Sequence, residues 1–282
     1  MTAREVLKNA IKTLELAGID DARFDAEQIV INKLGISLSR LKTDDIEITE
    51  KQCSEILCDI NRRANHYPLQ YILGVWEFYS LPFKVGEGVL IPRPDTEVLV
   101  DAALKFIGGS KGLKVIDLCS GSGAIAVAIA KYKAGQNVTA LEKSEIAFEV
   151  LKENIKLNGV KVNAVHGDVF EPIEDGSYDL IISNPPYIKK AVLDTLQAEV
   201  KREPSMALDG GEDGLKFYKA IAELWVPKLK PGGAVMVEIG YTQAAEVTGI
   251  FREVGLEHIE CIKDLSGNDR VIIGTMTAQN IE

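Results

Sequence analysis

The sequence predicts an α/β protein in which a mostly parallel, seven-stranded sheet follows a small helical domain. After Gly112, short apolar runs alternate with amphipathic stretches, which is typical of a sheet covered by helices on both faces. Before about residue 75 only helical periodicity is present. The stretch between these halves is rich in aromatic residues, Gly and Pro. We therefore expect three parts: a helical-bundle domain at residues 1–75, a β-hairpin-like linker at 76–97 and an α/β domain at 98–282.

Apolar stripes define the helices expected in the first domain. Their residues recur at spacings of three and four, as on one face of a helix. Thr2 with Glu5, and Thr49 with Gln52, have the spacing of a capping box. Leu38 and Leu41 indicate a short helix between the longer ones. The three stripes contain Val6, Leu7, Ala10, Ile11 and Leu14; Phe24, Ile29, Val30 and Leu34; and Cys53, Ile56, Leu57 and Ile60.

A helix is expected to start at Pro94, near the end of the linker, and to continue into the α/β domain as far as Phe106. Proline suits the first helical position, and the acidic Asp95 and Glu97 favour the positive end of the helix. We interpret Arg93 and Asp95 as part of this helix start. The predicted strands cover residues 114–118, 138–141, 161–166, 178–183 and 234–239, with closing strands near 256–263 and 270–275. The predicted later helices cover about 123–132, 144–158, 215–229 and 243–254.

Composition limits the classes of function that need to be considered. The formal net charge of −10 argues against a broad, sequence-independent grip on nucleic acid. No uncharged apolar run is long enough for a membrane span, and the first residues lack an apolar signal core. The four cysteines show no paired framework, so we expect reduced thiols in a cytoplasmic protein. The three histidines show no helical pairing, and we expect no metal site.

A glycine loop follows the first predicted strand of the sheet. Gly121 and Gly123 would let the backbone approach a ligand at a helix N-terminus. The run from Gly121 to Ala126 also fits the dinucleotide pattern G-x-G-x-x-A. Glu142 ends the second strand, where a carboxylate can accept hydrogen bonds from ribose hydroxyls. The loop therefore indicates a nucleoside ligand and leaves NAD and S-adenosylmethionine open.

Two further segments favour S-adenosyl-L-methionine as cofactor. The run Asp117-Leu118-Cys119-Ser120-Gly121-Ser122-Gly123 looks like the first motif of class I methyltransferases. Asp117 would either orient the loop or meet the ammonium group of the methionine moiety. Asp168 and Val169 follow the third strand, where that family contacts the adenine ring. The alternatives are a turn cap for Asp168 and core packing for Val169 and Phe170.

The quartet Asn184-Pro185-Pro186-Tyr187 follows a buried strand and therefore lies at the ligand-binding edge of an open α/β sheet. A planar amide or amino nitrogen is a poor nucleophile because its lone pair is delocalised. The Asn184 side-chain oxygen and the Pro185 carbonyl could each accept one of its N–H groups. The rigid prolines would hold these acceptors in place, and Tyr187 could stack on the substrate. The quartet is therefore predicted to clamp a flat NH₂ group.

The chain resembles the protein-(glutamine-N5) methyltransferases of the HemK/PrmC type. The resemblance is carried, in the order found in that family, by "PLQYILGVWEFYSLPFKV", "VLIPRPDTEVLV", "DLCSGSGAIA", "NPPYI", "EPSMALDGGEDGL" and "DLSGNDRVI". It implies a Rossmann-like class I methyltransferase domain and a helical domain that helps to bind peptide chain release factors. The expected substrate is the glutamine of their Gly-Gly-Gln loop.

Site residues carry over from this family by matching position. The resemblance implies that Cys119 to Gly123, Glu142, Val169 and Asn184 contact the cofactor, and that Asn184 to Tyr187 hold the glutamine. Three positions depart from the usual family pattern. Cys119 replaces a more usual glycine, Glu142 replaces a more usual aspartate, and Val169 is smaller than the aromatic residue of some members.

Other functions fit parts of the sequence. The quartet would also suit an amino group in DNA or RNA, such as adenine N6, but no basic groove or target-reading segment is evident. A nicotinamide-dependent oxidoreductase would leave Asn184 to Tyr187 without a task, and so would a non-catalytic scaffold. We expect no stable nucleic-acid binding and no membrane association. Residues 203–214 either order a loop over the site or form a glycine-rich turn.

Overall fold

The computed structural model describes residues 1–173 and 176–277. The predicted α/β range of 98–282 includes residues 174–175 and 278–282, which lie outside this described part. The chain divides into two compact units. The first contains Met1–Val75 together with Leu196–Arg202, and the second contains Trp76–Thr195 and the chain from Glu203 onward. Among the described residues, no helix is both long and apolar enough to cross a membrane.

The first unit is a bundle of helices, two of which start at the capping boxes seen in the sequence. The Thr2 hydroxyl accepts from the Glu5 N–H while the Glu5 carboxylate accepts from the Thr2 N–H. Thr49 and Gln52 form the same reciprocal pair, so both predicted capping boxes are confirmed. The helices are α1 (Ala3–Leu16), α2 (Ala22–Leu34), α3 (Leu38–Thr43), α4 (Glu50–Ala64) and α5 (Leu69–Leu73).

Two residues of the predicted apolar stripes are exposed to solvent. Phe24 is 47% exposed and Leu57 is 41% exposed. On α2 the buried face includes Asp25 instead, because its carboxylate accepts from the Arg63 Nε–H of α4 at 2.6 Å. Leu57 lies beside the line of buried α4 positions, which passes through Ile56 and Ile60.

Residues 196–202 belong to the first unit through one charged cluster. The Arg63 guanidinium, which also holds Asp25, donates from Nη1 to Glu199 Oε1 at 2.9 Å. His66 Nδ1 lies 3.0 Å from the same Glu199 oxygen. Arg63 is buried, so its charge depends on these two carboxylates for compensation. The cluster therefore fixes this late segment of the chain on helices made from its first residues.

The second unit contains the seven-stranded sheet that the sequence predicts. Its order is β5-β4-β3-β6-β7-β9-β8, and the first five of these strands run parallel while β9 is antiparallel to both of its neighbours. A separate two-stranded sheet precedes it, formed by β1 (Val75–Phe78) and β2 (Leu81–Lys84). The strands of the large sheet are β3 (Lys114–Leu118), β4 (Asn137–Glu142), β5 (Val162–His166), β6 (Tyr178–Ser183), β7 (Leu229–Glu238), β8 (Glu257–Lys263) and β9 (Asp269–Thr275).

Helices cover both faces of this sheet over two apolar cores. One core contains buried residues of α6 (Glu97–Ile107), α7 (Ala124–Tyr132) and α8 (Glu145–Asn158). The other contains residues of α9 (Lys216–Ala220) and α10 (Ala244–Glu253). Burying both faces explains why most positions of the central strands are apolar. The predicted class of fold is confirmed.

The predicted helix at 215–229 is less regular than expected. α9 ends at Ala220, and the chain continues as a π-helical turn at Ile221–Trp225 and a 3₁₀ turn at Val226–Lys228. Pro227 has no N–H to donate and cannot continue an α-helix, which accounts for the tight last turn. Trp225 is buried within these turns, and its indole N–H donates to the Val169 carbonyl at 2.7 Å. The irregular turns thus anchor one wall of the site described next.

Candidate active site

The site lies where the strand order reverses, beside the carboxyl ends of β3 and β6. The chain runs outward through β3, β4 and β5 and then returns to place β6 beside β3. Leu118 and Ser183 are register partners at these ends, and the Ser183 hydroxyl donates to the Leu118 carbonyl at 2.6 Å. Open α/β sheets bind ligands at such a point. The pairing of β3 with β6 brings the glycine loop after β3 next to the quartet that begins at Asn184.

Asp117 organises the glycine loop from within the sheet. Its side chain is fully buried, and Oδ2 accepts from the Ser120 hydroxyl at 2.5 Å and from the Ala126 N–H at 3.2 Å. Burial raises the pKa of Asp117 to about 7, although these two donors act in the opposite direction. The predicted roles of Asp117 are to orient the loop or to meet the ammonium group of the methionine moiety. This geometry matches the first of these roles. Ser120 and Ser122 are also buried, and neither lines the cavity.

The backbone of the loop passes through three left-handed residues. Cys119, Gly121 and Gly123 have φ of 58°, 57° and 82°. A Cβ on Gly123 would lie 2.3 Å from Leu151 Cδ1, so this glycine is needed for close packing on α8. The conformation of Cys119 is one that favours glycine, and a side chain there costs about 1 kcal/mol or more. Burial, followed by the Glu142 charge, raises the pKa of the Cys119 thiol.

Glu142 joins the glycine loop to the start of α8. Its Oε2 accepts from the Gly121 N–H and its Oε1 from the Ser144 N–H, both at 2.7 Å. Burial raises the pKa of Glu142 despite these donors. A carboxylate has about four acceptor positions, so two backbone bonds leave capacity for ribose hydroxyls.

The segment after β5 forms the opposite side of the site. Asp168 accepts from the Phe170 N–H at 3.1 Å, which is a turn contact, and from the Lys143 ammonium at 2.6 Å. Partial burial would raise the pKa of Asp168, but the bonds from Lys143 and Phe170 hold it below its ordinary value. Val169 is buried in the core and also lines the cavity. Both of its predicted roles, core packing and ligand contact, are therefore compatible with its position.

These elements surround a cavity of about 260 Å³. Seven of the thirteen residues predicted for the site line it, and the remaining six lie in β3, the glycine loop or the quartet. A Cβ placed on Gly121 would meet no atom within 4 Å, so the loop leaves open space at this point. The lining residues predicted from the sequence are Cys119, Gly121, Glu142, Asp168, Val169, Asn184 and Pro186. The predicted residues outside the lining are Asp117, Ser120, Ser122, Gly123, Pro185 and Tyr187.

Asn184 is held at the cavity by its amide nitrogen. Nδ2 donates to the Thr96 hydroxyl oxygen at 3.0 Å, and the Thr96 hydroxyl donates to Glu238 Oε2 at 2.6 Å. Within residues 1–173 and 176–277, no group donates to the Asn184 Oδ1 or to the Pro185 carbonyl. Both oxygens that the sequence predicts as acceptors are therefore free of competing protein bonds in this part of the chain.

Tyr187 is half-buried and approaches the same glutamate. Its hydroxyl donates to Glu238 Oε1 at 3.3 Å. Burial, followed by the Glu238 charge, raises the pKa of Tyr187, so the phenol remains protonated. Glu238 is 1% exposed, and burial raises its pKa to about 7 although Thr96 and the Arg270 charge oppose this.

A glycine-rich segment supports the quartet from behind. The Ile188 N–H donates to the Leu208 carbonyl at 3.0 Å, and the Gly210 N–H donates to the Ile188 carbonyl at 2.8 Å. A Cβ on Gly210 would lie 2.7 Å from Tyr187 Cα, and one on Gly214 would lie 2.6 Å from the Tyr187 carbonyl oxygen. Residues 203–214 also contribute cavity walls through Pro204, Met206, Ala207 and Asp209. The segment thus lines the site and supports the quartet.

The close approach of Gly214 leads to a prediction. The substitution Gly214→Ala should lower the free energy of unfolding by about 1–3 kcal/mol, because the added methyl group overlaps the Tyr187 carbonyl. It should also reduce kcat, since Tyr187 must move. Gly267→Ala is the matched control: Gly267 also has positive φ, at 85°, but no atom lies within 4 Å of its Cβ position. Equal kcat and melting temperature in the two variants would contradict this role.

Arg93 and Asp95 do more than start a helix. The Arg93 guanidinium pairs with Glu203, whose other oxygen accepts from the Ile91 N–H at 3.0 Å. Asp95 forms an ion pair with Arg270 at 3.0 Å. These contacts correct the interpretation of both residues as helix-start chemistry alone, because the side chains connect the segment before α6 to distant parts of the second unit.

Sequence reasoning missed three groups around the site: Thr96 with Glu238, Lys216 with Phe217, and Gln243. Glu238 offered a signal, because an acidic residue at the end of the apolar run Ala234–Val237 is unusual unless it has a buried partner. Lys216 lines the cavity, and its Nζ lies 4.8 Å from the ring centroid of Phe170. Gln243 Nε2 donates to the Tyr187 carbonyl at 3.2 Å, and no local pattern indicates this contact.

Comparison with known proteins identifies the family. The PrmC N-terminal domain model matches residues 5–74, and the Methyltransferase small domain model matches residues 95–212. A release factor glutamine methyltransferase from Fusobacterium nucleatum subsp. nucleatum is 40% identical over 285 residues, which cover 99% of this chain and 80% of the relative. The chain belongs to the release factor glutamine methyltransferases.

Further similarities agree with this family. A release factor glutamine methyltransferase from Thermodesulfovibrio yellowstonii is 42% identical over 254 residues, covering 88% of this chain and 91% of the relative. The crystal structure of a methyltransferase from Pyrococcus furiosus has a TM-score of 0.54 at 20% identity, covers 81% of this chain and 100% of its own, and shares the fold. The predicted resemblance and the class I methyltransferase fold are confirmed.

S-adenosyl-L-methionine is the methyl donor of a release factor glutamine methyltransferase, and the cavity residues fit it. The open space over Gly121 would accept a ligand against the loop backbone. Glu142 retains acceptor capacity that ribose hydroxyls could use, and Asp168 and Val169 line the same cavity. Asn184 lines this cavity too, so the residues predicted for cofactor binding and the first residue of the predicted clamp border one space.

Proposed function

We propose that this enzyme methylates the side-chain amide nitrogen, N5, of the glutamine in the Gly-Gly-Gln motif of class 1 peptide chain release factors. The observation that carries the proposal is the fixed amide of Asn184, whose nitrogen is bound to Thr96 while its oxygen has no donor among the described residues. An acceptor of this kind matches the N–H groups of a carboxamide. The names of the relatives from Fusobacterium nucleatum and Thermodesulfovibrio yellowstonii support the same substrate.

The proposed roles of the quartet follow from its hydrogen-bonding capacity. Asn184 Oδ1 and the Pro185 carbonyl each accept one N–H of the glutamine amide, which orients its nitrogen. When bound, S-adenosyl-L-methionine supplies an electrophilic methyl group. The two acceptors stabilise the positive charge that develops on the nitrogen, and the rigid prolines require little reorganisation. Pro186 shapes the cavity wall, and Tyr187 packs beside the substrate.

The proposed cofactor contacts come from the glycine loop and the neighbouring strand ends. Cys119 and Gly121 offer backbone groups and open space to the cofactor. Glu142 accepts hydrogen bonds from the ribose hydroxyls. Asp168 and Val169 border the base. Asp117, Ser120, Ser122 and Gly123 keep the loop in its left-handed path and act indirectly.

We propose that the helical domain, residues 1–75, helps to recognise the release factor. Its helices contain no part of the cavity described above. Adding the release factor should therefore slow hydrogen exchange in this domain. Unchanged exchange throughout residues 1–75 would argue against the assignment.

The proposed setting follows from the proposed substrate. Release factors act in translation, so we place the reaction in the cytoplasm, without a membrane partner. The net charge of −10 supports the absence of stable nucleic-acid binding.

Incubation of the enzyme with a purified release factor and methyl-labelled S-adenosyl-L-methionine tests the function. We expect the label on the glutamine of the Gly-Gly-Gln motif, located by mass spectrometry of the digested product. A release factor with Asn in place of that glutamine is the matched control and should remain unlabelled. Parallel reactions with DNA and RNA test the adenine N6 alternative. Label on adenine, or on another residue of the release factor, would overturn the proposal.

A further inference from the structure

We infer that Thr96 and Glu238 are positioning residues that set which end of the Asn184 amide faces the substrate. The inference rests on the proposed function, since it concerns the acceptor that holds the glutamine. Thr96 lies between the other two residues, 3.0 Å from Asn184 Nδ2 and 2.6 Å from Glu238 Oε2. A threonine hydroxyl has a single proton to donate, and this limits the arrangements that the chain of bonds can adopt.

The ionised form of Glu238 determines the direction of the hydrogen bonds that connect it, through Thr96, to Asn184. A carboxylate can only accept, so the Thr96 proton must point to Glu238. The Thr96 oxygen is then left as an acceptor, and the Asn184 atom beside it must be the NH₂ group. The Asn184 oxygen consequently faces the cavity, where the proposed clamp requires it. An amide can otherwise turn over at little cost, so its orientation needs such a partner.

Two features of Thr96 argue against a purely structural role. It ends the 3₁₀ turn Pro94–Thr96 that leads into α6, and its side chain makes no capping bond to the helix backbone. It is also 4% exposed, and its hydroxyl serves residues on two different strand ends. The hydroxyl therefore serves only the hydrogen bonds to Asn184 and Glu238.

Protonation of Glu238 should reverse the direction of these hydrogen bonds. A protonated Glu238 could donate to Thr96, whose proton would then turn towards Asn184 and attract the amide oxygen away from the substrate. The groups that face Glu238 are Tyr187, Tyr218, Arg270 and Asp95. Burial raises the pKa of Glu238 to about 7, with Thr96 and Arg270 opposing this and Asp95 adding to it. The rate should thus fall as the pH decreases through about 7.

The variants Thr96→Val and Thr96→Ser test the inference against simple packing. Valine keeps the shape and removes the hydroxyl, whereas serine keeps the hydroxyl and removes the methyl group. We expect Thr96→Val to lower kcat by on the order of tenfold or more, with the dissociation constant of S-adenosyl-L-methionine nearly unchanged. Thr96→Ser should retain most of the rate. Thr275→Val is the matched control, because it also removes one hydroxyl bond, to the Glu257 carbonyl at the far side of the sheet.

The outcomes separate this inference from the proposed function. Parent enzyme that labels the glutamine, together with Thr96→Val at parental rate, would overturn the positioning role and leave the function standing. Loss in the serine variant with retention in the valine variant would assign Thr96 to packing and also overturn it. A parent enzyme that labels no glutamine would overturn both. The pH profile of the unaltered enzyme requires no substitution. A kcat that stays constant between pH 6 and pH 8 would contradict the proposed hydrogen bonding between Glu238, Thr96 and Asn184.

Discussion

Replacing Asn184 with alanine should abolish methyl transfer while binding of S-adenosyl-L-methionine remains largely intact. The substitution removes the side-chain oxygen that is free of protein donors and lines the cavity. The contacts of Glu142 with the glycine loop do not involve Asn184, so they should persist. We expect kcat to fall by at least about 100-fold, as when a preorganised charge-stabilising group is removed from other enzymes.

Two measurements check this result. Single-turnover transfer to the release factor gives the rate, and titration calorimetry with S-adenosyl-L-methionine gives the affinity. Asn163→Ala is the matched control, because Asn163 is an exposed residue of β5. Turnover of Asn184→Ala at the level of this control would show that the quartet does not act as a clamp.

Replacing Glu142 with alanine should produce the opposite pattern, with a large loss of cofactor affinity. The variant loses the proposed ribose acceptor and leaves the Gly121 and Ser144 N–H groups without their bonds of 2.7 Å. Hydrogen bonds to a charged group contribute about 1.5–3 kcal/mol each, so we expect the dissociation constant to rise by about 10- to 100-fold. The raised pKa of Glu142 further implies that affinity declines on acidification at a higher pH than for an ordinary glutamate.

Calorimetry of Glu142→Ala beside Glu149→Ala provides the test. Glu149 is exposed on α8 and pairs with Lys152, so its loss removes an equal charge without touching the cavity. Saturating cofactor should restore much of the rate of Glu142→Ala, because the quartet is intact. An unchanged dissociation constant would remove Glu142 from the binding site.

The sheet and the outline of the site could be predicted because both depend on short-range patterns. Parallel strands buried on two faces are mostly apolar, and the predicted site residues lie at the ends of such strands or just after them. Glycines in left-handed conformations mark the loop after β3. Asn184, Glu142 and Asp168 therefore converge because their strands end at one edge of the sheet.

Contacts between distant parts of the chain could not be predicted in this way. Thr96 and Glu238 are far apart in sequence, and Thr96 lies in a segment that is explained locally as the start of a helix. Phe24 occupies a helical stripe position but is exposed, because the buried pair of Asp25 and Arg63 rotates the inner face of α2. In each case a polar partner elsewhere in the chain decides what the local pattern leaves open.

The charged cluster around Glu199 has a consequence for how the protein is made. Ribosomes synthesise a polypeptide from its N-terminus, yet the second carboxylate partner of the buried Arg63, Glu199, comes from the much later segment Leu196–Arg202. Until more than half of the second unit has been synthesised, Arg63 can pair only with Asp25, and its Nη1 lacks the Glu199 acceptor. A fragment of residues 1–75 alone would lack this Glu199 acceptor permanently.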